Sequence, residues 1–427
     1  MDPRTAMMPP LSGTQQAELG AQAEAMLTEL GGISSDPNRL VRLFLSPEHR
    51  RAADLVARWM REAGMGVTED ALGTVRGHWS ADDAPARKLL IGSHIDTVID
   101  AGKYDGPLGV VAGILAVKHL AATGRGLPFG IDVLAFGDEE GSRFRSTLTS
   151  SSACAGVFEE SALVATDRNG ATLADALKAY GKNAAEIGKA AYRRADVAGY
   201  VEVHIEQGPV LEREKLALGV VTAIVGQNRM RVVVLGEAGH AGTVPMPMRQ
   251  DALTGAAEII LAVERIAKSY GNDRMVATVG RIEASPGAIN VIPGRVGFSL
   301  ELRSSTDALR KAAIEQIRQD AQRIAMARKL EVAFEPFYET LTTPCDPSMQ
   351  TVMESAIGDL GNRTIRLPSG AGHDAQVMAR LCPAAMLFVR CRGGVSHNPA
   401  EYASPADIGL AIAALIRFIE RFAATQT

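Results

Sequence analysis

The segment ARKLLIGSHIDT, residues 86–97, contains an apolar run that leads into a glycine and then into polar residues. This pattern predicts a buried strand that ends in a polar loop. GIDVLAFGDEEG, residues 130–141, has the same pattern, and YVEVHIEQG, residues 200–208, alternates as a strand before its own glycine. Between the first two lies GVVAGILAVKHLAATG, residues 109–124, an apolar stretch that predicts a helix. Strands that alternate with helices predict an α/β fold with a mostly parallel sheet.

A second structural unit is predicted to begin near residue 220. From there, strand-like and helix-like segments follow in the order β-α-β-β-α-β, which is the split-βαβ plan of a small α+β domain. From about residue 340 the first pattern resumes. We therefore expect an inserted α+β domain at residues 220–339, within a larger domain formed by residues 1–219 and 340–427.

The composition excludes several classes of protein. The chain has 427 residues, enough for two domains, with 46% hydrophobic and 22% charged residues. A net charge of −4 and the lack of a basic run argue against a nucleic-acid or membrane-surface partner. No apolar segment approaches the roughly 20 residues of a membrane span, and the N-terminus lacks the pattern of a signal peptide. With only four irregularly spaced cysteines, a reduced cytoplasmic setting is expected.

Five residues in glycine- or proline-flanked segments have the chemistry of metal ligands. Three imidazoles and two carboxylates suit two divalent cations if one carboxylate bridges them. Three of the five lie where a predicted strand ends, and the carboxyl ends of parallel strands are where ligands gather. The sequence therefore predicts a metal-dependent hydrolase with these candidate ligands: His94, Asp105, Glu140, His204 and His397.

Asp96 and Asp105, which lie between the first predicted strand and the predicted helix, can each take a specific role at such a site. His94 and Asp96 share one face of an extended segment, so Asp96 can accept the other ring N–H of His94 and orient the ring. A helix cap or an Asx-turn at Asp96 is the alternative. Asp105 lies on a tight turn before Gly106, which suits a bridging carboxylate, although an aspartate before glycine is also a common turn residue.

Three further positions suggest catalytic or binding chemistry. Glu139 and Glu140 end a strand and point oppositely, so Glu140 can bind a cation while Glu139 acts as a general base. A solvated acidic turn is the alternative. Arg303 ends an apolar strand and needs an anionic partner, either a substrate carboxylate or a structural ion pair. His240, in a glycine-rich loop, can donate to an oxyanion.

Seven segments together resemble a known family over about residues 35–420. They are GSHIDTV, AGKYDGPLGV, GDEEGSRF, YVEVHIEQGPVLE, GHAGTVPMPMRQDA, PSGAGHDAQ and SHNPAEY. The resemblance is to the amidase branch of the aminoacylase/carboxypeptidase-type dinuclear metallohydrolases. This branch contains allantoate amidohydrolases, N-carbamoyl-L-amino acid amidohydrolases and β-ureidopropionases. The stretch GSHIDTVIDAGKYDGPLG is most similar to allantoate amidohydrolases.

The resemblance implies hydrolysis of a ureido C–N bond in a carboxylate substrate, with allantoate as the leading candidate and an N-carbamoyl-L-amino acid or β-ureidopropionate as the alternative. It implies two divalent ions per subunit, Zn²⁺ or Mn²⁺, with Co²⁺ or Ni²⁺ as further candidates. One ion would bind His94, Asp105 and His204, and the other Asp105, Glu140 and His397. Glu139 would be the general base and Asp96 the orienting carboxylate. The implied substrate contacts are Gln207, His240, Asn290, Arg303 and His373.

The resemblance also implies a homodimer through the inserted domain, which acts as a lid. In such a dimer His240, Asn290 and Arg303 would reach the neighbouring subunit's metal site. A peptidase or deacylase is disfavoured because the segment HIEQGP resembles the amidase branch. A non-catalytic dimer that retains the fold is a further alternative.

Overall fold

The structure, a computed structural model, describes residues 7–81, 87–124, 126–271 and 275–426. The chain divides into two compact units. Unit 1 comprises Met1–Thr222 and Cys345–Thr427, and unit 2 comprises Ala223–Pro344. Among the described residues, no helix is both long and apolar enough to cross a lipid bilayer.

The described residues form two main sheets and one short two-stranded sheet. In chain order the strands are β1 (Gly66–Glu69), β2 (Val75–Trp79), β3 (Lys88–His94), β4 (Gly130–Phe136), β5 (Val197–Ile205), β6 (Leu218–Ile224), β7 (Gly226–Leu235), β8 (Gly239–His240), β9 (Met275–Thr278), β10 (Ile282–Ser285), β11 (Val291–Ile292), β12 (Arg295–Ser304), β13 (Glu331–Thr340), β14 (Thr343–Pro344), β15 (Ile365–Ser369) and β16 (Ala384–Val389).

Helices connect many of these strands along the chain. They are α1 (Gly13–Gly31), α2 (Pro47–Glu62), α3 (Pro107–Ala122), α4 (Thr149–Cys154), α5 (Leu173–Ala179), α6 (Val210–Arg213), α7 (Ala252–Ser269), α8 (Asp307–Ala327), α9 (Pro347–Asp359), α10 (Ala375–Met378) and α11 (Pro405–Thr425). Short 3₁₀ turns lie at Glu160–Val164, Ala184–Ala190, Arg194–Asp196, Met246–Met248 and Arg392–Gly394.

The larger sheet has the order β1-β2-β4-β3-β5-β16-β6-β14, and β15 also pairs with β6. Its middle strands β4, β3, β5 and β16 run parallel. The flanking pairs β1–β2, β2–β4, β16–β6 and β14–β6 are antiparallel. Every residue of β4 and β5 is buried, as expected for parallel strands covered on both faces. The predicted α/β fold is thus confirmed, with antiparallel strands at the edges of the sheet.

Helix α3 is buried on nearly all sides, which explains its uniformly apolar sequence. It packs against β3, β4 and β5 and also against α1 and α11. The helix begins immediately after Gly106, whose φ of +85° is a conformation that favours glycine. Because Asp105 precedes this glycine, the start of α3 fixes the position of the Asp105 side chain beside the parallel strands.

Unit 2 contains a five-stranded sheet of order β10-β12-β7-β13, in which β9 also pairs with β12. Its pairs are antiparallel. Apolar residues of α7 and α8 form one core with alternate residues of β7 and β12, so the helices cover one face of the sheet. In chain order, this sheet and its two helices are formed by β7, α7, β9, β10, β12, α8 and β13.

The segment MVATVGRIEASPG, residues 275–287, reads in the sequence as one strand of the inserted domain, but the structure divides it into two short strands, β9 and β10. Between them, the hydroxyl of Ser299 accepts the backbone N–H groups of Gly280 (3.2 Å) and Arg281 (3.0 Å). A side-chain acceptor here replaces the carbonyl acceptor of the neighbouring strand, so the ladder is interrupted at this point.

Candidate metal centre and active site

The predicted ligands of unit 1 lie at the ends of parallel strands and in the loops beside them. His94 is the last residue of β3, His204 is the penultimate residue of β5, and Glu140 lies in the turn after β4. Because these strands are parallel neighbours, their carboxyl ends lie at one edge of the sheet. The turn before α3 supplies Asp105, and the loop before α11 supplies His397.

Asp105 lies at the centre of this group. Its Oδ1 is 3.1 Å from Nε2 of His204 and 3.9 Å from Nε2 of His94. Its Oδ2 is 3.3 Å from Nε2 of His397. Since the two oxygens face different imidazoles, this single carboxylate has the geometry to join two cation sites.

Among the described residues, potential ligand atoms form four groups, in each of which they lie within 4.8 Å of one another. Two of the groups share Asp105: His94, Asp105 and His204 form one, and Asp105, Glu140 and His397 form the other. The remaining two groups are His94 with Glu139 and Glu140, and His204 with Glu202 and His373. Oε2 of Glu140 is 3.5 Å from Nε2 of His397. The structure therefore brings together all five candidate ligands, whose role in binding metal stays a prediction.

The imidazole rings are oriented for metal binding. Nδ1 of His94 lies 3.1 Å from the carbonyl oxygen of Asp96, and Nδ1 of His204 lies 2.9 Å from that of Ile205. A carbonyl oxygen only accepts, so Nδ1 carries the proton and Nε2 faces the site. A bound cation would take the place of an Nε2 proton, so these donors fit a metal ion.

The charge of the cluster also fits cations. Asp96, Asp105 and Asp138 are each at most 5% exposed, and two glutamates lie beside them. Burial, together with the negative charge of Asp105, raises the pKa of Glu140 to about 7. Burial acts to raise the pKa of Asp105 as well, but hydrogen bonds with His204 and His397 outweigh it and hold that pKa well below its ordinary value. Closely packed buried carboxylates are strongly stabilised by divalent cations.

Asp96 connects the loop after β3 to the acidic turn after β4. Its Oδ1 is 3.4 Å from Nδ1 of His94, slightly farther than its own carbonyl oxygen. The carboxylate also accepts the backbone N–H groups of Glu139 (3.2 Å) and Glu140 (3.3 Å). Asp96 therefore contacts the His94 ring and holds the acidic turn, a second role that was not predicted from the sequence.

Glu139 faces the same space as the ligands. Its Oε2 is 3.9 Å from Nε2 of His94, and its side chain is only 13% exposed. Burial raises its pKa well above the ordinary value, although the neighbouring His94 opposes the shift. A largely buried carboxylate is not a solvated acidic turn, so that alternative is removed. Its action as a general base stays a prediction.

Gln207 contacts the central carboxylate directly. Its Nε2 donates to Oδ2 of Asp105 at 2.8 Å and lies 3.5 Å from Nε2 of His397. Gln207 and His397 have φ values of +56° and +54°, a region that non-glycine residues rarely occupy. Strained backbone of this kind clusters at functional sites, which supports a role for both residues.

His373 is packed against a candidate ligand. It is 1% exposed, and its ring centroid lies 4.4 Å from that of His204 in an edge-to-face arrangement. Nε2 is 2.7 Å from the hydroxyl of Ser369. Burial, and then the neighbouring His204, lower the pKa of His373 well below its ordinary value, so the ring is neutral. Its proposed substrate contact stays a prediction.

Two residues that support Asp105 were missed in the sequence. Oγ of Ser396 is 2.6 Å from Oδ2 of Asp105. Oε1 of Glu401 accepts the backbone N–H groups of Tyr104 (2.9 Å) and Asp105 (3.0 Å). Both lie in the segment SHNPAEY, from which only His397 was chosen. The sequence signal that could have identified Glu401 is its position close to His397, in a segment with little other charge.

The other predicted site residues lie in unit 2. His240 is exposed in β8, which pairs with β11, and the backbone N–H of Ala241 donates to the carbonyl oxygen of Asn290 at 2.9 Å. His240 and Asn290 are therefore neighbours. Nδ1 of His240 accepts the N–H of Gly242 at 3.0 Å.

Arg303 pairs with Glu301 on the same strand, at 2.9 Å from Nη2 and 3.1 Å from Nε. Glu301 also pairs with Arg229 at 3.0 Å. A structural ion pair, one of the two alternatives for Arg303, is therefore present. Both arginines contact the Glu301 carboxylate. A substrate role for Arg303 stays a prediction.

The chain matches Peptidase family M20/M25/M40 over residues 90–421. It belongs to this family. It is 43% identical over 437 residues to an allantoate deiminase of Arabidopsis thaliana, covering 95% of this chain and 83% of that protein. It is 41% identical over 382 residues to an N-carbamoyl-L-amino acid amidohydrolase of Geobacillus stearothermophilus, covering 89% and 93%. The crystal structure of a hydantoinase/carbamoylase family amidase from Burkholderia multivorans superposes with a TM-score of 0.88 at 34% identity, covering 95% and 98%.

These matches confirm the resemblance inferred from the motifs, and with it the prediction of an amidohydrolase enzyme. M20 proteins are metallohydrolases, and this M20 chain contains residue groups suited to hold metal.

Proposed function

We propose that this M20 protein is a dinuclear amidohydrolase that cleaves a ureido C–N bond of allantoate, yielding ureidoglycine, ammonia and carbon dioxide. The observation that carries the proposal is the pair of ligand groups joined by Asp105, with Glu139 directed at the same space. The relatives named allantoate deiminase and N-carbamoyl-L-amino acid amidohydrolase support the ureido chemistry. Hydrolysis of N-carbamoyl-L-amino acids, or of β-ureidopropionate, is the alternative.

In this proposal His94, Asp105 and His204 hold one cation, and Asp105, Glu140 and His397 hold the other. Such mixed imidazole and carboxylate sites accept Zn²⁺, Mn²⁺, Co²⁺ or Ni²⁺, with Zn²⁺ or Mn²⁺ as our first choice. When bound, the cations acidify water and polarise the ureido carbonyl group.

Glu139 then performs the proton transfers. It removes a proton from the attacking water as the oxygen bonds to the ureido carbon, and it delivers that proton to the departing nitrogen as the C–N bond breaks. Ammonia leaves first, and the carbamate that remains loses carbon dioxide. Asp96 assists by holding the backbone of the turn that carries Glu139.

We assign the binding of substrate to Gln207 and His373 in unit 1 and to His240, Asn290 and Arg303 in unit 2. Asn290 and Arg303 hold the substrate carboxylate, and His240 donates to the oxyanion.

We also propose that the protein is cytoplasmic and forms a homodimer through unit 2, whose residues serve the partner subunit. Large exposed apolar side chains in unit 2 support an interface there: Met246, Met248, Leu261, Ile289 and Phe337.

The substrate assignment predicts a clear ranking of rates. We expect kcat/KM for allantoate to exceed that for N-carbamoyl-L-alanine by about tenfold or more, a difference of about 1.4 kcal/mol in transition-state binding. Ammonia release from protein reconstituted with Mn²⁺ or Zn²⁺ measures both values. The reverse ranking would favour the carbamoyl amino acid hydrolase, and absence of turnover on every ureido compound by the metal-loaded protein would refute the proposed activity.

Replacing Arg303 tests the carboxylate contact. Arg303→Lys should raise KM for allantoate by about tenfold or more, because a point charge cannot replace a planar fork of two hydrogen bonds. Steady-state kinetics measure KM and kcat separately. Arg229→Lys is the matched control, because Arg229 also pairs with Glu301. It should change KM by no more than about twofold, since exposed ion pairs contribute little. Equal effects of the two substitutions would mean that Arg303 acts only through Glu301.

A further inference from the structure

Glu401 connects two loops that are far apart in the sequence. Its carboxylate is buried, 5% exposed, and Oε1 accepts the N–H groups of both Tyr104 and Asp105. Asp105 is 296 residues away along the chain. The segment that carries His397 is thereby tied to the backbone of the turn that carries the central carboxylate.

The second oxygen of Glu401 reaches the Asp105 side chain through one intermediate. Oε2 lies 3.1 Å from Oγ of Ser396, which lies 2.6 Å from Oδ2 of Asp105. Oδ2 of Asp105 is the oxygen that faces His397. One glutamate thus contacts Asp105 twice, at its backbone directly and at its side chain through a hydroxyl.

The surrounding chain is shaped to admit Glu401. A Cβ atom on Gly102 would lie 2.4 Å from Cβ, Cδ and Oε1 of Glu401, so only glycine leaves room for this side chain. The turn at residues 102–105 and Glu401 therefore fit each other closely.

We propose that Glu401 is a positioning residue that holds Oδ2 of Asp105 toward His397 and thereby sets the affinity for the cation bound by Asp105, Glu140 and His397. This inference rests on the dinuclear centre of the proposed function. Glu401 does not contact the ligand atoms that Glu140 and His397 direct at this cation. Its effect on the cation therefore passes through Asp105 and Ser396. Partners of this kind typically alter metal affinity by about 10–100-fold.

The test measures binding of Mn²⁺ to the full chain after removal of bound metal with a chelator. The parent protein should bind two ions per chain. Glu401→Ala should bind one ion with nearly the parent affinity and the second about 10–100-fold more weakly. Isothermal titration calorimetry measures both constants. Electron paramagnetic resonance of the Mn²⁺-loaded protein should show an interacting pair in the parent and mostly isolated ions in the variant.

Two further variants keep the test informative if Glu401→Ala folds poorly. Glu401→Gln should restore affinity for the second ion to within about threefold of the parent, because its amide oxygen can accept both N–H groups and its NH₂ can donate to Ser396. Ser396→Ala removes only the hydroxyl that reaches Asp105, and it should weaken the second ion by about fivefold to tenfold, as expected for one lost hydrogen bond.

Asp70→Ala is the matched control. One oxygen of Asp70 likewise accepts two backbone N–H groups, of Leu72 and Thr74, and the other accepts from Arg76. This variant should lower the melting temperature and bind both ions as the parent does, because Asp70 contacts none of the candidate ligands.

The outcomes separate the two proposals. If Glu401→Ala and Ser396→Ala bind two ions as tightly as the parent, Glu401 is not a positioning residue. If Glu401→Ala and Glu401→Gln weaken the second ion equally, the charge and not the geometry matters, and the inference fails. If the second ion weakens as expected and no ureido compound is hydrolysed by the parent, the positioning role stands and the proposed activity fails.

Discussion

Glu139→Gln should lower kcat on allantoate by about 10²–10⁴-fold while leaving the binding of two cations intact. The amide has nearly the same shape as the carboxylate but cannot take a proton from water. The backbone N–H of Glu139 would still donate to Asp96, so the turn that carries the side chain should keep its position. Ammonia release measures kcat, and metal content after dialysis measures ion binding.

The adjacent substitution, Glu140→Gln, separates the two glutamates. Because Glu140 is a candidate ligand within the group of Asp105 and His397, its amide should weaken the second cation, and activity should return partly at high metal concentration. Glu139→Gln should show no such recovery. If metal-loaded Glu139→Gln kept the parent activity, another residue would be the base. If neither the parent nor the variant hydrolysed any ureido compound, a non-catalytic metal-binding dimer would be favoured.

Gly106→Ala should abolish tight metal binding and, with it, activity. A Cβ atom at this position would lie 2.4–2.5 Å from three atoms of the His94 ring, and the φ of +85° disfavours any side chain. A side chain held at φ +85° and ψ −63° costs about 1–3 kcal/mol, and overpacking a filled site costs about 1–3 kcal/mol more. To relieve this collision, either the His94 ring or the turn that carries Asp105 must move, and the distance between His94 and Asp105 then increases. We expect affinity for the cation of His94, Asp105 and His204 to fall by at least about 100-fold, by the tenfold change per 1.4 kcal/mol.

Gly181→Ala is the matched control for backbone strain. Its φ is +83°, and a Cβ atom there would meet nothing within 4 Å. This variant should lose stability through its backbone alone and keep both ions and full activity. Calorimetric metal titration and thermal melting of the two variants separate strain from collision. If Gly106→Ala bound two ions with the parent affinity, the close approach of the His94 ring to the turn would not matter for binding.

The buried strands of unit 1 were predictable because each carries an apolar run that stops at a polar loop. Strand β3 and its terminal His94 illustrate this, since every residue from Leu89 onward is buried. The helices and turns at residues 149–196 were not predicted, because each spans seven residues or fewer and is too short to show a helical period. The splitting of one strand into β9 and β10 depends on the Ser299 hydroxyl, a contact between separate segments.

The candidate ligands were predictable as residue types, whereas their partners were not. His94, Glu140 and His204 stand out because they follow apolar strands. Glu401 stands out less, because its closeness to His397 in sequence is a weak signal and a glutamate in a polar loop is normally solvated. Its partners are two backbone N–H groups about 300 residues away, and backbone groups have no sequence signature.

By itself, the sequence determined the α/β class, the strand ends at which chemistry gathers, and the family, because periodicity and motifs are local properties of the chain. Only the tertiary structure decided that the two oxygens of Asp105 face different imidazoles, that Asp96 holds the acidic turn, and that Glu401 ties the central turn to the His397 loop. The physical reason is that these relations are hydrogen bonds and contacts of 2.6–3.9 Å between distant segments. Such distances arise only once the order of the strands brings the loops to one edge of the sheet.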